Sequence, residues 1–224
     1  MRARGLLLLG ALAVAGCSAL PGDSGRGSKP SRSPSSTPAF RSPSAAQCLS
    51  QLGASGAVYA PLPDRYLGQG CTNLNTVQLA ALASDGTELQ LGNIGPVTCE
   101  VSQVFAGWAR FGVDRAARQI LGSPLKRIET FGSYSCRNVA GTAKRSGHAT
   151  AAAIDISGFV LEDGRRITVK GGWNGGSSAE KRFLRTVQGS ACKRFDTVLG
   201  PAYNAAHEDH LHLEGVLRGA GFCR

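Results

Sequence analysis

The chain of 224 residues carries 25 lysines and arginines against 15 aspartates and glutamates, which gives a formal net charge of +10. Hydrophobic residues make up 42% of it, enough for one domain with a substantial core. A basic balance can indicate nucleic-acid binding, but basic and aromatic residues are not interleaved here, and we expect no nucleic-acid partner.

The N-terminal residues have the pattern of a secretory signal. Residues 1–4 are basic in character, and residues 5–15 form an apolar run too short to cross a bilayer as a helix. Val14-Ala-Gly-Cys17 resembles a bacterial lipobox, in which the cysteine becomes the acylated first residue of the mature protein. We therefore predict a signal peptide over residues 1–17 and an exported lipoprotein, anchored in a membrane of the bacterial cell envelope and facing the periplasm. An ordinary cleaved signal with an incidental cysteine is the alternative.

Residues 18–46 are rich in Ser, Pro, Gly and Arg and nearly free of large apolar side chains. Such a segment cannot bury enough surface to fold, so we predict a disordered tether. The first 46 residues hold six basic residues against one acidic residue. This charge would be drawn to anionic lipid headgroups or anionic wall polymers. Residues 47–224 are predicted to form one domain.

Six cysteines follow Cys17, namely Cys48, Cys71, Cys99, Cys136, Cys192 and Cys223. An even number in an exported chain indicates three disulfides, and the sequence has no Cys-x-x-Cys pair that would favour a thiolate metal site. Sequence alone leaves the connectivity open. We expect neighbours to pair: Cys48 with Cys71, Cys99 with Cys136, and Cys192 with Cys223. The second bridge would fasten the segment of Arg137 to the first turn of a helix.

From residue 95 onward the pattern of helices and strands is clear. Gly95-Pro96 starts a helix whose apolar residues recur at helical spacing and which ends at Gly122-Ser-Pro124. Residues 125–134 are predicted as a strand. Residues 151–161 and 165–170 are predicted as a hairpin.

A capping box, Ser177-Ser-Ala-Glu180, opens a second helix. Residues 195–199 and 210–216 are predicted as strands, and no internal repeat is visible. Helices interspersed with hairpins favour the α+β class, here a small antiparallel sheet flanked by helices and held by disulfides.

All four histidines lie in two short segments. One is Ser146-Gly-His-Ala-Thr-Ala-Ala-Ala-Ile-Asp155, and the other is His207-Glu-Asp-His-Leu-His212. Imidazoles and carboxylates on two separate segments are the ligands of a zinc or similar transition-metal site. A straight helix or strand would not bring His148 and Asp155 to one ion, so we expect a turn at His148 that leads into a strand. A buried histidine bonded to a neighbouring aspartate is the alternative.

Residues 210–214 alternate as a strand does. His210, His212 and Glu214 would share one face, while Leu211 and Leu213 would point to the core. A polar face in contact with solvent would give the same alternation. Three histidines within six residues favour a metal-binding or catalytic role.

Several strings in the chain resemble one known family. They are Ser133-Tyr-Ser-Cys-Arg137, Ser146-x-His148 with Ala153-Ile-Asp155-Ile156, Phe195-x-Thr-Val-Leu-Gly-Pro201 and His207-x-Asp-His-x-His212-Leu. Over residues 47–224, cysteines included, the chain resembles the bacterial extensin-like C-terminal domain. That family is distantly similar to zinc peptidases of the D-alanyl-D-alanine carboxypeptidase and lysostaphin type, which implies a similar core fold.

The resemblance implies roles for six residues of the two histidine segments and the preceding strand. The metal ligands would be His148, Asp155 and His212; Asp209 or His210 would be the catalytic base, and Arg137 would contact substrate or a developing oxyanion. The chain also departs from the motifs. Ala151 stands where the peptidases usually have glycine, and Gly147 and Thr150 stand where the extensin-like domains commonly have Glu and Leu.

The same resemblance implies zinc-dependent hydrolysis of amide bonds in peptidoglycan stem peptides. Two histidines and one aspartate leave one position of a zinc ion for water. The partners would be peptidoglycan or another anionic envelope polymer, and the membrane through the lipid anchor. The alternative is a non-catalytic, peptidoglycan-binding or structural lipoprotein that keeps the fold and its metal. A closed site with His207 or His210 as fourth ligand would favour that alternative.

The lipobox generates a first prediction. Cys17→Ser should release the protein from the membrane fraction into the soluble envelope fraction, because acylation requires the thiol. Fractionation and mass spectrometry of the mature N-terminus check this. Unchanged membrane association, with no lipid on the wild-type N-terminus, would refute it.

Overall fold

The computed structural model describes residues 42–224. The predicted signal peptide, Cys17 and most of the predicted tether lie outside the described residues. None of the helices within residues 42–224 is long and apolar enough to cross a membrane.

The first part of the described chain contains one helix and six strands, and the sequence predicts no helix or strand between residues 47 and 94. They are α1 (Pro43–Ala54), β1 (Val58–Pro61), β2 (Arg65–Tyr66), β3 (Thr72–Asn73), β4 (Thr76–Ala83), β5 (Glu88–Gly92) and β6 (Val97–Thr98). Helix α1 begins inside the predicted tether of residues 18–46. Its start is stabilised because the Ser42 side chain accepts a hydrogen bond from the Ala45 amide, and Pro43 occupies the first turn.

The predicted long helix is confirmed except at its start: it was predicted from Gly95-Pro96, but Val97–Thr98 form the strand β6 and the helix begins at Cys99. It comprises α2 (Cys99–Trp108) and continues through the π-helical turns Ala109–Asp114 and Ala117–Leu121. It ends at Gly122, whose φ of 73° is the left-handed conformation that glycine adopts without strain. Phe105 and Trp108 are fully buried against the sheet and the later helices.

The second part of the chain follows the predicted order. Its elements are β7 (Leu125–Gly132), a short 3₁₀ helix (Gly147–Thr150), β8 (Ala153–Leu161), β9 (Arg166–Thr168), α3 (Val169–Gly175), α4 (Ser178–Ala191), β10 (Thr197–Leu199), a 3₁₀ turn (Ala205–His207), β11 (Leu211–Glu214) and β12 (Phe222–Cys223). The capping box of Ser177 and Glu180 is present at the start of α4. Helix α3 is an addition to the predicted order, and it ends the second hairpin strand at Thr168.

One sheet of ten strands organises the described residues, with the order β1-β4-β5-β7-β8-β11-β10-β12, while β6 pairs with β4 and β9 pairs with β8. Most pairs are antiparallel, but β10 and β12 run parallel, and so do β5 and β7, between which the long helix carries the chain back. The α+β class is confirmed, and the sheet is mixed and larger than the small antiparallel sheet that was predicted.

The sheet has a core face and a second face that meets solvent. Ile154 and Ile156 of β8, and Leu211 and Leu213 of β11, are fully buried on the core face. Side chains that alternate with such residues point to the second face. Gln90 of β5 is exposed there. The side chains of His212 on β11 and Asp155 on β8 therefore point to the face of the sheet that the helices do not cover.

The three disulfides join Cys48 to Cys99, Cys71 to Cys136 and Cys192 to Cys223. Only the last agrees with the predicted pairing; the pairs Cys48–Cys71 and Cys99–Cys136 are wrong. Helix α1 packs on α2, which brings Cys48 to the first turn of α2 and occupies Cys99. The bridge next to Arg137 therefore runs to the β2–β3 hairpin, and α2 gives that arginine no support.

Candidate metal centre

The pairing of β8 with β11 places two of the predicted ligands side by side. In this antiparallel pair His212 lies directly opposite Asp155, and directly opposite side chains share a face of the sheet. His212 Nδ1 lies 2.9 Å from Asp155 Oδ1. The predicted alternation is confirmed, because Leu211 and Leu213 are buried in the core on the other face.

The third predicted ligand comes from the turn that precedes β8. His148 lies in the 3₁₀ helix Gly147–Thr150, whose first turn is capped because the Ser146 side chain accepts a hydrogen bond from the His148 amide. Ala151 then reverses the chain into β8. His148 Nε2 lies 3.1 Å from Asp155 Oδ2 and 3.2 Å from His212 Nδ1. The predicted turn at His148 is thus present.

Both histidines have their outer ring nitrogen held by an acceptor. His148 Nδ1 lies 3.0 Å from the Ser133 carbonyl oxygen, and His212 Nε2 lies 2.9 Å from Glu214 Oε2. Because these oxygens accept, the outer nitrogens donate, and the inner nitrogens, His148 Nε2 and His212 Nδ1, are the ring atoms that could bind an ion beside Asp155. One ligand atom from each of His148, Asp155 and His212 lies within 4.8 Å of the other two.

The electrostatics of this group are those of a cation site. Burial raises the pKa of Asp155, but hydrogen bonds with His148 and His212 outweigh it and hold that pKa far below its usual range. Burial lowers the pKa of His212, while hydrogen bonds with Asp155 and Glu214 raise it to about 9. The hydrogen bond from His212 lowers the pKa of Glu214. Two carboxylates therefore stay ionised around the imidazole, and a metal ion would take the place of its extra proton.

The predicted base residues lie at the edge of the group. His210 Nδ1 donates to Asp209 Oδ1 over 2.9 Å, and His210 Nε2 lies 3.6 Å from Asp155 Oδ1. The His210 side chain is 13% exposed, whereas that of Asp209 is 37% exposed. His210 is not among the three residues that could hold an ion together, so the described residues form a three-ligand group rather than a closed site of four.

Arg137 is exposed beside this edge. Within residues 42–224 its guanidinium makes no hydrogen bond or ion pair, so its donors are available. Burial and the charges of His210 and His212 lower the pKa of His207 to about 4, and the charge of Arg137 adds to this effect. Arg137 is therefore near enough to His207 for its charge to act on that ring, and its role in the site stays a prediction.

Two aromatic contacts around the site were not predicted. The ring of Phe131 lies 5.9 Å from that of His210, edge to face, and the ring of Tyr203 lies 5.6 Å from that of His207. Phe131 is 56% exposed because the pairing of β7 with β8 shifts register between Thr130 and Gly132. Such a β-bulge redirects a side chain, and no pattern in the sequence marks it.

Comparison with known families assigns the chain. It matches the family model described as Extensin-like protein C-terminus over residues 46–224, and it therefore belongs to this family. Neither a curated protein nor a solved structure matches it. The likeness to zinc peptidases remains a prediction.

The departures from the family motifs have structural explanations at two positions. A Cβ at Gly147 would collide with the Glu214 side chain, so the glycine leaves room for Glu214 to reach His212. Ala151 has a φ of 54° and is fully buried. A left-handed alanine costs about 1–2 kcal/mol relative to the right-handed conformation, a strain that glycine would not have. The structure gives no explanation for Thr150.

The three-ligand group generates a second prediction. The purified wild-type chain should bind one transition-metal ion, and His148→Ala and His212→Ala should each abolish stoichiometric binding, because two remaining ligands hold zinc poorly. Elemental analysis after dialysis measures the content. His207→Ala is the matched control and should keep the metal. Full metal content in both ligand variants would contradict the assignment, and loss in the control would indicate that His207 is a fourth ligand.

The contact of Glu214 with His212 generates a third prediction. Glu214→Ala should weaken metal affinity roughly 10- to 100-fold, because the carboxylate fixes the ring orientation and tautomer of a ligand. Glu214→Gln keeps an acceptor oxygen and should lose less. Competition with a chromophoric chelator measures both affinities. Equal affinity of wild type and Glu214→Ala would show that the carboxylate does not orient the ligand.

Proposed function

We propose that this extensin-like domain is a zinc-dependent peptidase-like domain of a cell-envelope lipoprotein, which hydrolyses amide bonds of peptidoglycan stem peptides. The observation that supports it best is the convergence of His148, Asp155 and His212 on the open face of the sheet, with both outer imidazole nitrogens held by acceptors.

The donor set fits zinc. Two imidazole nitrogens and one carboxylate oxygen form a common protein ligand set of catalytic zinc sites. The Ser133 carbonyl and the Glu214 carboxylate supply the second layer of hydrogen bonds that such ligands usually have. When bound, zinc would supply a Lewis acid that lowers the pKa of water and polarises an amide carbonyl.

His210 and Asp209 would handle the proton of the attacking water. Asp209 accepts the hydrogen bond of His210 Nδ1, which directs His210 Nε2 toward Asp155. His210 would therefore accept the proton and later return it to the leaving amine, and Asp209 would orient it. The greater exposure of Asp209 supports this division of roles.

Arg137 would stabilise negative charge that develops on the carbonyl oxygen. Its guanidinium is exposed, unpaired within the described residues and close enough to the cluster for its charge to affect His207. A fixed cation near a developing oxyanion lowers the barrier when the site excludes water. The adjacent bridge from Cys136 to Cys71 limits the movement of this segment.

The substrate class follows from the predicted location and from charge. A lipoprotein tethered beside the cell wall meets peptidoglycan, whose stem peptides carry free carboxylates. The basic chain, with its formal charge of +10, would attract such anionic peptides.

The second candidate is a non-catalytic lipoprotein that binds peptidoglycan or tethers the envelope to it. One observation favours it: the ion pairs of His212 with Asp155 and Glu214, and of His148 with Asp155, already satisfy these side chains. Such a cluster could stabilise the domain without chemistry. Metal content and turnover distinguish the two candidates.

The proposal generates a fourth prediction. The purified, zinc-loaded chain should release peptides from peptidoglycan, and a chelator should abolish release. His210→Ala should lower kcat roughly 10²- to 10⁴-fold, the usual contribution of a general base, and Asp209→Asn should lower it less. Chromatography of the released fragments measures the rates.

Glu208→Gln is the matched control for Asp209→Asn. Glu208 is exposed on the same segment and pairs with Lys170 over 3.4 Å, so its loss should leave kcat unchanged. Release that continues with chelator and in His148→Ala would contradict a metal peptidase. Stoichiometric zinc without any release would favour the second candidate.

A further inference from the structure

The open face of the sheet continues from the metal group into a polar groove. A cavity of about 560 Å³ lies on this face, and its polar lining includes Gln90, Arg127, Glu129, Ser157 and Arg166. Ser157 connects the groove to the site. It is the extra residue of a β-bulge, because Glu129 of β7 pairs with Gly158 of β8 while Thr130 pairs with Ile156. Such a bulge shifts the alternation of the following side chains by one residue.

The strand register places two arginines in one row across β8. Val160 of β8 is the partner of Arg127 on β7 and of Arg166 on β9. These three residues alternate with core residues such as Phe159. The bulge at Ser157 shifts the alternation of β8 by one residue, so the row lies on the same face as Asp155 although the separation is odd. Val160 is five residues beyond Asp155, which corresponds to roughly 15–17 Å along the strand.

One carboxylate serves both arginines. Glu129 Oε2 lies 2.7 Å from Arg166 Nε, and Glu129 Oε1 lies 3.5 Å from an Arg127 terminal nitrogen. The Glu129 side chain lies over Gly158, where a Cβ would be 3.3 Å from Oε2. A Cβ there would also lie 3.0 Å from the Ile167 carbonyl oxygen, so glycine allows the close approach of β9 and of the Glu129 carboxylate.

The groove has one positive charge more than it has negative charges. Each guanidinium has five N–H donors, and each donates to a single carboxylate oxygen within residues 42–224. The side chains of Arg127 and Arg166 are 43% and 57% exposed. Free, forked donors directed into a groove are suited to a carboxylate, which guanidinium groups bind through two parallel hydrogen bonds.

We propose that this groove binds a carboxylate of the peptide whose scissile amide lies at the metal group. This inference rests on the proposed function for the position of the amide. An extended peptide advances about 3.3–3.6 Å per residue, so the carboxylate belongs to a residue four or five positions from the cleaved bond. Arg127 and Arg166 are then specificity-determining residues that select acidic stem peptides.

The experiment measures binding separately from hydrolysis. A fluorescently labelled peptidoglycan stem peptide and its amidated form, in which the carboxyl groups are neutral, are titrated with the full chain in the presence of chelator. We expect the acidic peptide to bind about ten-fold more tightly than the amidated one, the contribution of one charge-assisted contact. Arg127→Ala combined with Arg166→Ala should remove this difference.

Two further variants keep the result interpretable. Arg182→Ala removes the same charge from an exposed position on α4 and should leave both affinities unchanged. Glu129→Gln removes the competing carboxylate and should strengthen binding of the acidic peptide, an effect that misfolding would not produce.

The outcomes separate this inference from the proposed function. Two results would overturn the proposed role of the groove. One is equal affinity for the acidic and amidated peptides, and the other is an affinity difference that persists in the double arginine variant. Arginine-dependent binding without any zinc-dependent cleavage would support the groove and count against the peptidase. Zinc-dependent cleavage with a KM that is the same in wild type and in the arginine variants would support the peptidase and count against the groove.

Discussion

The antiparallel pairing of β11 with β8 is the constraint on which the candidate site depends. Its register sets His212 opposite Asp155, and a shift by one residue would exchange the histidine face for the leucine face. The buried side chains of Leu211 and Leu213 make such a shift costly, since each leucine contributes about 1.5–3 kcal/mol when it leaves water. The hydrophobic core thus fixes the position of a polar group that lies on the other side of the sheet.

The loop that carries His148 depends on the same pairing. Gly215, directly after β11, donates its amide to the Ala152 carbonyl, and the Ala151 carbonyl accepts from the Thr98 amide at the start of the long helix. The turn is therefore attached on one side to the histidine strand and on the other to α2. These two backbone hydrogen bonds hold together three segments that are distant in sequence: the start of the long helix, the turn of His148 and the strand of His212.

The sequence correctly predicted those elements whose formation depends on residues close together in the chain. The helix end at Gly122, the capping box of Ser177 and the alternation from His210 to Glu214 depend on neighbours within a few residues, and the structure agrees with each of them. The short strands β2, β3 and β6 have two residues each, which is too few for any periodicity. Two disulfide pairs were wrong because the packing of α1 on α2 decides them. The groove of Arg127 and Arg166 depends on how β7 and β9 pair with β8. Local sequence patterns do not predict this register.

The left-handed conformation of Ala151 limits which residues the chain can accept there. Glycine would relieve the backbone strain, whereas a branched or longer side chain would add steric conflict in a position that has no exposed surface. Position 151 ends the turn that brings His148 to Asp155. Substitution at this position would therefore act on the site through backbone geometry.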